Sequence, residues 1–113
     1  MLAFLMGLKT LDPAALRQRM QSERIAIFDV NSGNSWRNAR VPGARHLEPA
    51  TFQESDLPNE RDQALVFYCS NPFCRKAPMA ARRAKQMGYR DVHVLAAGIS
   101  GWLAAGLPTE SGD

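Results

Sequence analysis

The sequence is poor in the residues that bind metals and cross-link chains. It holds two cysteines, Cys69 and Cys74, and two histidines, His46 and His93. Two cysteines do not make the disulfide framework of a small secreted protein. They do not fill a four-ligand zinc site alone, and the histidines stand far apart with no finger spacing. No metal or cofactor is therefore expected, and the expected compartment is reducing and cytoplasmic. Excess charge is missing too: the 113 residues carry a net +3. That is too little to argue for nucleic acid, and there is no interleaving of basic and aromatic residues. It does not exclude a small anionic substrate, because a local cluster matters more than the total. No apolar run is long enough to span a bilayer. Internal repeats and low-complexity segments are absent.

What remains is a chain with 45% hydrophobic and 22% charged residues, enough for one core in one domain. Met1 to Leu8 is apolar, with no charge before Lys9. A secretory signal would need a basic start and a small-residue cleavage site, and neither is there. Residues 1–9 are expected to be an N-terminal extension, disordered or docking to a partner. The folded domain is expected over 10–110, with 111–113 as a tail.

Thr10 or Asp12 can cap a first helix with Pro13 at its start. Ile25-Ala26-Ile27-Phe28 reads as a short buried strand stopping at Asp29. Ser35 can cap a short helix through Trp36 and Ala39. Pro42-Gly43 marks a turn, and Ala44 to Leu47 a second short strand. Glu48 to Gln63 reads as polar and irregular. Ala64 to Tyr68 is the clearest strand and ends at Cys69. The following helix runs to about Met87, with Met79, Ala80, Ala84 and Met87 at helical spacing and Gly88 as its stop. Val92 to Leu95 is another strand, and Gly98 opens a last helix containing Trp102. Alternating short apolar strands and helices predict an α/β fold with a parallel sheet covered on both faces. Phe28, Trp36, Phe67 and Trp102 are expected in the core. Asp29 is expected to bridge loops by hydrogen bonds, and His93 to be structural.

Ligands in such sheets sit beyond the carboxyl ends of the strands. Cys69 lies there, directly after a strand and before a helix. Ser70, Asn71, Pro72, Phe73 and Cys74 must curl to join the two, turning amides inward beside a helix N-terminus. Arg75 and Lys76 add charge. This setting favours a thiolate at Cys69 and an anion beside it. Arg75 is the expected side-chain anion ligand. Cys74 is a candidate resolving thiol, a second sulfur carrier, or simply a loop residue.

These segments together resemble the rhodanese superfamily of sulfurtransferases. Ile25 to Val30 resembles the family's first strand and its aspartate. Val41-Pro42-Gly43-Ala44 is similar to its Ile-Pro-Gly-Ala segment, and Leu65 to Cys69 to the strand that delivers the active cysteine. Gly88 to Val92, Ala97 to Trp102 and Ala105 to Pro108 resemble its closing pattern. The resemblance implies a five-stranded parallel sheet with helices on both faces. It also implies a persulfide on Cys69, loaded from a small anionic sulfur donor such as thiosulfate and passed to a thiol or protein acceptor. Cys69 would be the nucleophile and the backbone of Ser70 to Arg75 the anion cradle.

Three departures stand out. Asn31 replaces a common arginine, Ala39-Arg40 replaces Gly-His, and five residues rather than four separate Cys69 from Arg75. The longer loop resembles that of the dual-specificity phosphatases and arsenate reductases built on this fold. Those phosphatases usually carry histidine before the cysteine, where Tyr68 stands here, and the loop offers no obvious general acid. A third reading is a rhodanese-like binding or sensing module with little turnover.

Overall fold

The computed structural model describes residues 8–113. Five strands form one all-parallel sheet: β1 (Lys9–Leu11), β2 (Ile25–Asp29), β3 (Arg45–His46), β4 (Ala64–Tyr68) and β5 (Val92–Leu95). Their spatial order is β1-β5-β4-β2-β3. The helices are α1 (Pro13–Ser22), α2 (Gly33–Asn38), α3 (Lys76–Gln86) and α4 (Gly98–Ala104), with one 3₁₀ turn at Glu54–Asp56.

The central strand β4 shows why both faces must be covered. All five of its residues are buried, and they alternate between faces as a strand requires. Leu65 and Phe67 enter one cluster with Phe28, Val92, Val94 and the alanines of α3. Val66 and Tyr68 enter the other with Leu16, Leu95, Ile99 and Trp102. Burial on both faces excludes polar alternation, hence the continuous run Ala64 to Tyr68. Phe28, Phe67 and Trp102 are fully buried, as expected. Phe28 stacks on Phe67 with ring centroids 5.3 Å apart, and the Trp102 indole donates to the Pro108 carbonyl at 2.8 Å.

Several local expectations shift. Leu8 is buried and Lys9 joins the sheet, so the fold takes in the end of the expected extension. The rest of that extension, residues 1–7, lies outside the described residues. Strand β1 has no apolar run of its own; it exists because β5 offers it a parallel edge. At the other end, Gly112 is tied down: its N–H donates to the Arg37 carbonyl at 2.7 Å, and its carbonyl accepts from Arg40 Nη1 at 2.7 Å. Asp12 caps α1 through Ala15 N–H at 2.7 Å. Ser32, not Ser35, caps α2, with its hydroxyl accepting from Ser35 N–H. Trp36 is only half-buried, and the Arg40 guanidinium lies 4.0 Å over its ring. Met79 is 59% exposed, because the buried face of α3 runs through Ala77, Ala80, Ala81 and Ala84. Gly88 ends that helix region at φ +99°, a left-handed backbone that favours glycine.

Candidate functional site

Connectivity opens a crevice at the carboxyl ends of the two central strands. The chain leaving β2 goes outward to β3, and the chain leaving β4 goes the other way to β5. Loops that part in this way leave room for a ligand between them. Cys69 stands directly after β4, and Asn31 follows β2 by two residues.

Three anchors hold the cysteine loop. The carbonyls of Cys69 and Ser70 accept from Ile99 N–H at 2.9 Å and Ser100 N–H at 3.0 Å, so the first turn of α4 grips the loop's start. Gly98 permits that approach. Its φ is +66°, and a β-carbon there would stand 2.6 Å from the Ser70 carbonyl carbon and 2.7 Å from the Asn71 nitrogen. The second anchor is the Ser70 hydroxyl, which donates to Asn31 Oδ1 at 2.8 Å. Asn31 is in turn fixed by its own N–H on Asp29 Oδ1 at 2.8 Å, and its carbonyl is 2.7 Å from His46 Nε2. The third anchor lies within the loop, where Asn71 Oδ1 accepts from Phe73 N–H and the Asn71 carbonyl accepts from Cys74 N–H.

The loop's open end faces the start of α3. Arg75 occupies the N-cap position and supplies no capping side-chain hydrogen bond. The two sulfurs take that place. Cys69 Sγ faces the amides of Ser70 and Ala77, and Cys74 Sγ faces those of Ser70 and Lys76. Unpaired amides at a helix start favour an anion. A pocket of about 120 Å³ opens beside them, lined by Cys69, Asn71 to Arg75, Ala77, Pro78 and the end of β5. The pocket therefore contains nearly every residue singled out from the sequence; Ser70 contributes its amide and its tie to Asn31. No ion pair among the described residues involves Arg75, which is exposed at the pocket rim. Phe73 lines the pocket while remaining 90% exposed.

The thiols differ from expectation in one respect. Cys69 is 2% exposed. That burial, reinforced by its hydrogen bond with Cys74, pushes the Cys69 thiol up to about 12. Burial also opposes ionisation at half-buried Cys74. The hydrogen bond from Cys69, the amides of Lys76 and Ser70 and the Lys76 charge outweigh it, and hold the Cys74 thiol below its ordinary value. Within the reduced pair, ionisation is easier at Cys74 than at Cys69. The expectation of a thiolate favoured at Cys69 thus runs against its burial, which favours the thiol there.

Sequence reasoning missed two further residues. Asn31 was noted only as a departure, and it is the anchor of Ser70. Gly98 was read as a helix start, and it is the point where α4 meets the cysteine loop. The glycine itself was the available signal for close approach.

The family model for the rhodanese-like domain matches residues 12–105. An HTH-type transcriptional regulator of Mycobacterium tuberculosis is 32% identical over 101 residues, covering 88% of this chain and 43% of that protein. The thiosulfate sulfurtransferase GlpE of Actinobacillus succinogenes is 27% identical over 106 residues, covering 94% of each chain. A crystal structure of a Bacillus halodurans protein superposes with a TM-score of 0.81 at 23% identity, covering 91% of this chain and 77% of that one. No helix among the described residues is long and apolar enough to cross a membrane. Fold and family model agree, and the chain belongs to the rhodanese-like domain family.

Proposed function

We propose that this chain is a sulfurtransferase that carries sulfane sulfur as a persulfide on Cys69. One observation carries the reading: two free thiols, a helix start without a capping side chain and an arginine without an ion pair share one small pocket. A donor such as thiosulfate fits this chemistry. Its sulfonate end meets Arg75 and the loop amides, and its sulfane sulfur meets Cys69. As Cys69 Sγ attacks, its proton passes to the Cys74 thiolate, and sulfite departs as a stable anion. The new persulfide then awaits a thiol or protein acceptor. Related proteins named thiosulfate sulfurtransferases support this class of reaction.

Phosphate-ester cleavage would need more. A leaving alkoxide requires a proton, and no acidic residue lines the pocket. Tyr68 is turned away into the core, where its hydroxyl accepts from Val41 N–H at 3.1 Å. The phosphatase and arsenate-reductase reading therefore ranks below sulfur transfer. A sensing module has one specific support, the similar HTH-type regulator.

The test is intact mass after exposure to thiosulfate, with thiocyanate formation from cyanide and an aryl phosphate assayed on the same preparation. Sulfur on Cys69 together with thiocyanate is the expected result. Phosphate release without a persulfide would favour the phosphatase, and inactivity in both assays the sensing module.

A further inference from the structure

The buried sulfur of Cys69 raises the question of where a persulfide goes when no small acceptor is present. Cys69 is 2% exposed, and the pocket before it measures about 120 Å³. A small anion enters such a space more readily than a bulky acceptor does. One nucleophile already stands inside. Cys74 is a free thiol that lines the same pocket as Cys69, on the same loop.

We propose that Cys74 discharges the Cys69 persulfide internally, releasing hydrosulfide and leaving a Cys69–Cys74 disulfide. The inference rests on the sulfurtransferase reading for the loading step and extends it to the fate of the sulfur. Cys74 releases to solvent the proton it took from Cys69 during loading, and its thiolate attacks Cys69 Sγ. A bond forms between the two cysteine sulfurs, the bond from Cys69 Sγ to the outer sulfur breaks, and its electron pair leaves with the outer sulfur as HS⁻. That sulfur is reduced from sulfane to sulfide, and the two cysteines are oxidised to a disulfide. No further oxidant enters. A dithiol reductant then restores both thiols through a mixed disulfide. Over one cycle, thiosulfate and a reduced dithiol become sulfite, hydrosulfide and an oxidised dithiol.

Leaving-group chemistry selects this direction. Attack by Cys74 on the outer sulfur would instead expel the Cys69 thiolate. Burial makes that thiolate a strong base and a poor leaving group. Hydrosulfide is the weaker base and leaves more readily. The loop also suits the product. Four residues separate the cysteines, and Cys74 N–H bonds back to the Asn71 carbonyl at 3.2 Å, folding the loop onto itself. The remaining motion is the approach of two side chains that line one pocket.

The experiment gives reduced, desalted protein one equivalent of thiosulfate with no other thiol present. Sulfite and sulfide should appear in equal amounts. The intact mass should fall by two hydrogen atoms, with Cys69 and Cys74 in one cross-linked peptide. Cys74→Ser, however slowly it loads, should retain one extra sulfur on Cys69 and release sulfite without sulfide. Wild-type protein that keeps the extra sulfur, with Cys74 still open to alkylation, overturns the discharge and leaves the sulfurtransferase reading standing. Equal sulfide from Cys74→Ser and wild type overturns it as well. Absence of both sulfite and any mass change, in wild type and variant alike, overturns the sulfurtransferase reading itself.

Discussion

The two ends of the sheet hold polar clusters of opposite design. At the amino-terminal ends of β1 and β5, the charges of Lys9, Arg19, Glu23 and Asp91 pair with one another and with His93 Nε2. Arg19 pairs with Glu23 at 2.7 Å, and Lys9 reaches Asp91 at 3.4 Å. Asp91 Oδ1 is 2.6 Å from His93 Nε2. At the carboxyl end of β4, two thiols, the first residues of α3 and Arg75 lie together around one open pocket, and no ion pair among the described residues engages Arg75. Both clusters shift titrations, but only one leaves charge and donors unspent. Perturbed ionisation alone does not mark a site, since ion-pair networks perturb it too. Unpaired donors around a reachable nucleophile do.

The comparison breaks first at Cys69. Cys69→Ser should abolish sulfur loading from thiosulfate, read as the absence of any mass gain, whereas Asp91→Asn should leave loading intact. If Asp91→Asn abolishes loading too, the two ends are not independent. Next comes the backbone that grips the cysteine loop. Gly98→Ala places a β-carbon against the Ser70 and Asn71 backbone at a positive φ. It should cost about 3 kcal/mol in unfolding free energy, measured by urea denaturation. The exposed Lys9–Asp91 pair should contribute under about 1 kcal/mol by the same measurement, and less in high salt.

Smaller effects sharpen the contrast within the site. Arg75→Ala removes one charge-assisted contact to the donor. A loss of about 2 kcal/mol in kcat/KM for thiosulfate, roughly 30-fold, is expected. Loss of affinity for an uncharged donor to the same extent would show that Arg75 acts on the loop and not on the anion. Asn31→Ala leaves the Ser70 hydroxyl without its acceptor and should lower loading by about 1 kcal/mol in the same assay.

Legibility in the sequence followed the range of the interactions. Strands β2, β4 and β5 were readable because burial on both faces writes an unbroken apolar run. Cys69, its loop and Arg75 were readable because strand, cysteine and helix are consecutive. Strand β1 was not, since Lys-Thr-Leu gains its structure from β5, more than 80 residues away. Arg40 was visible only as the loss of a usual Gly-His; in the fold it covers Trp36 and holds Gly112. The Asn31–Ser70 bond joins two loops across 39 positions, and no local pattern announces it. The burial of Cys69 was likewise hidden. Local reasoning found the positive cup, but the packing of α3 and α4 against the loop decides which thiol ionises. Alkylation should therefore strike Cys74 before Cys69 at neutral pH, mapped by peptide mass.

The smallest effect belongs to the opposite end of the sheet, and its sign follows from one nitrogen. His93 Nε2 lies between Asp91 Oδ1 at 2.6 Å and Arg19 Nη1 at 3.0 Å. His93 Nδ1 is buried with no partner. Charging the ring puts a hydrogen on both nitrogens, and the one on Nδ1 has nothing to accept it. Burial thus lowers the His93 ionisation below its ordinary 6.5, although Asp91 opposes the shift and Arg19 and Lys9 assist it. Below pH 6.5 the unfolded chain binds a proton that the folded chain refuses, so stability should decline as the pH falls from 6.5 toward the folded value. Asp91 adds a second decline at lower pH. Burial opposes its ionisation, but His93 and Lys9 prevail and hold its carboxyl below 3.8. Folded protein then keeps Asp91 charged where the unfolded chain protonates it. Urea midpoints should fall below pH 6.5, and His93→Gln should flatten the first decline and weaken the second, because His93 is the main group holding the Asp91 carboxyl down. An unchanged first decline in His93→Gln would assign it to another group. Because this cluster is spent on itself, none of these changes should alter the alkylation rate of Cys74 at neutral pH.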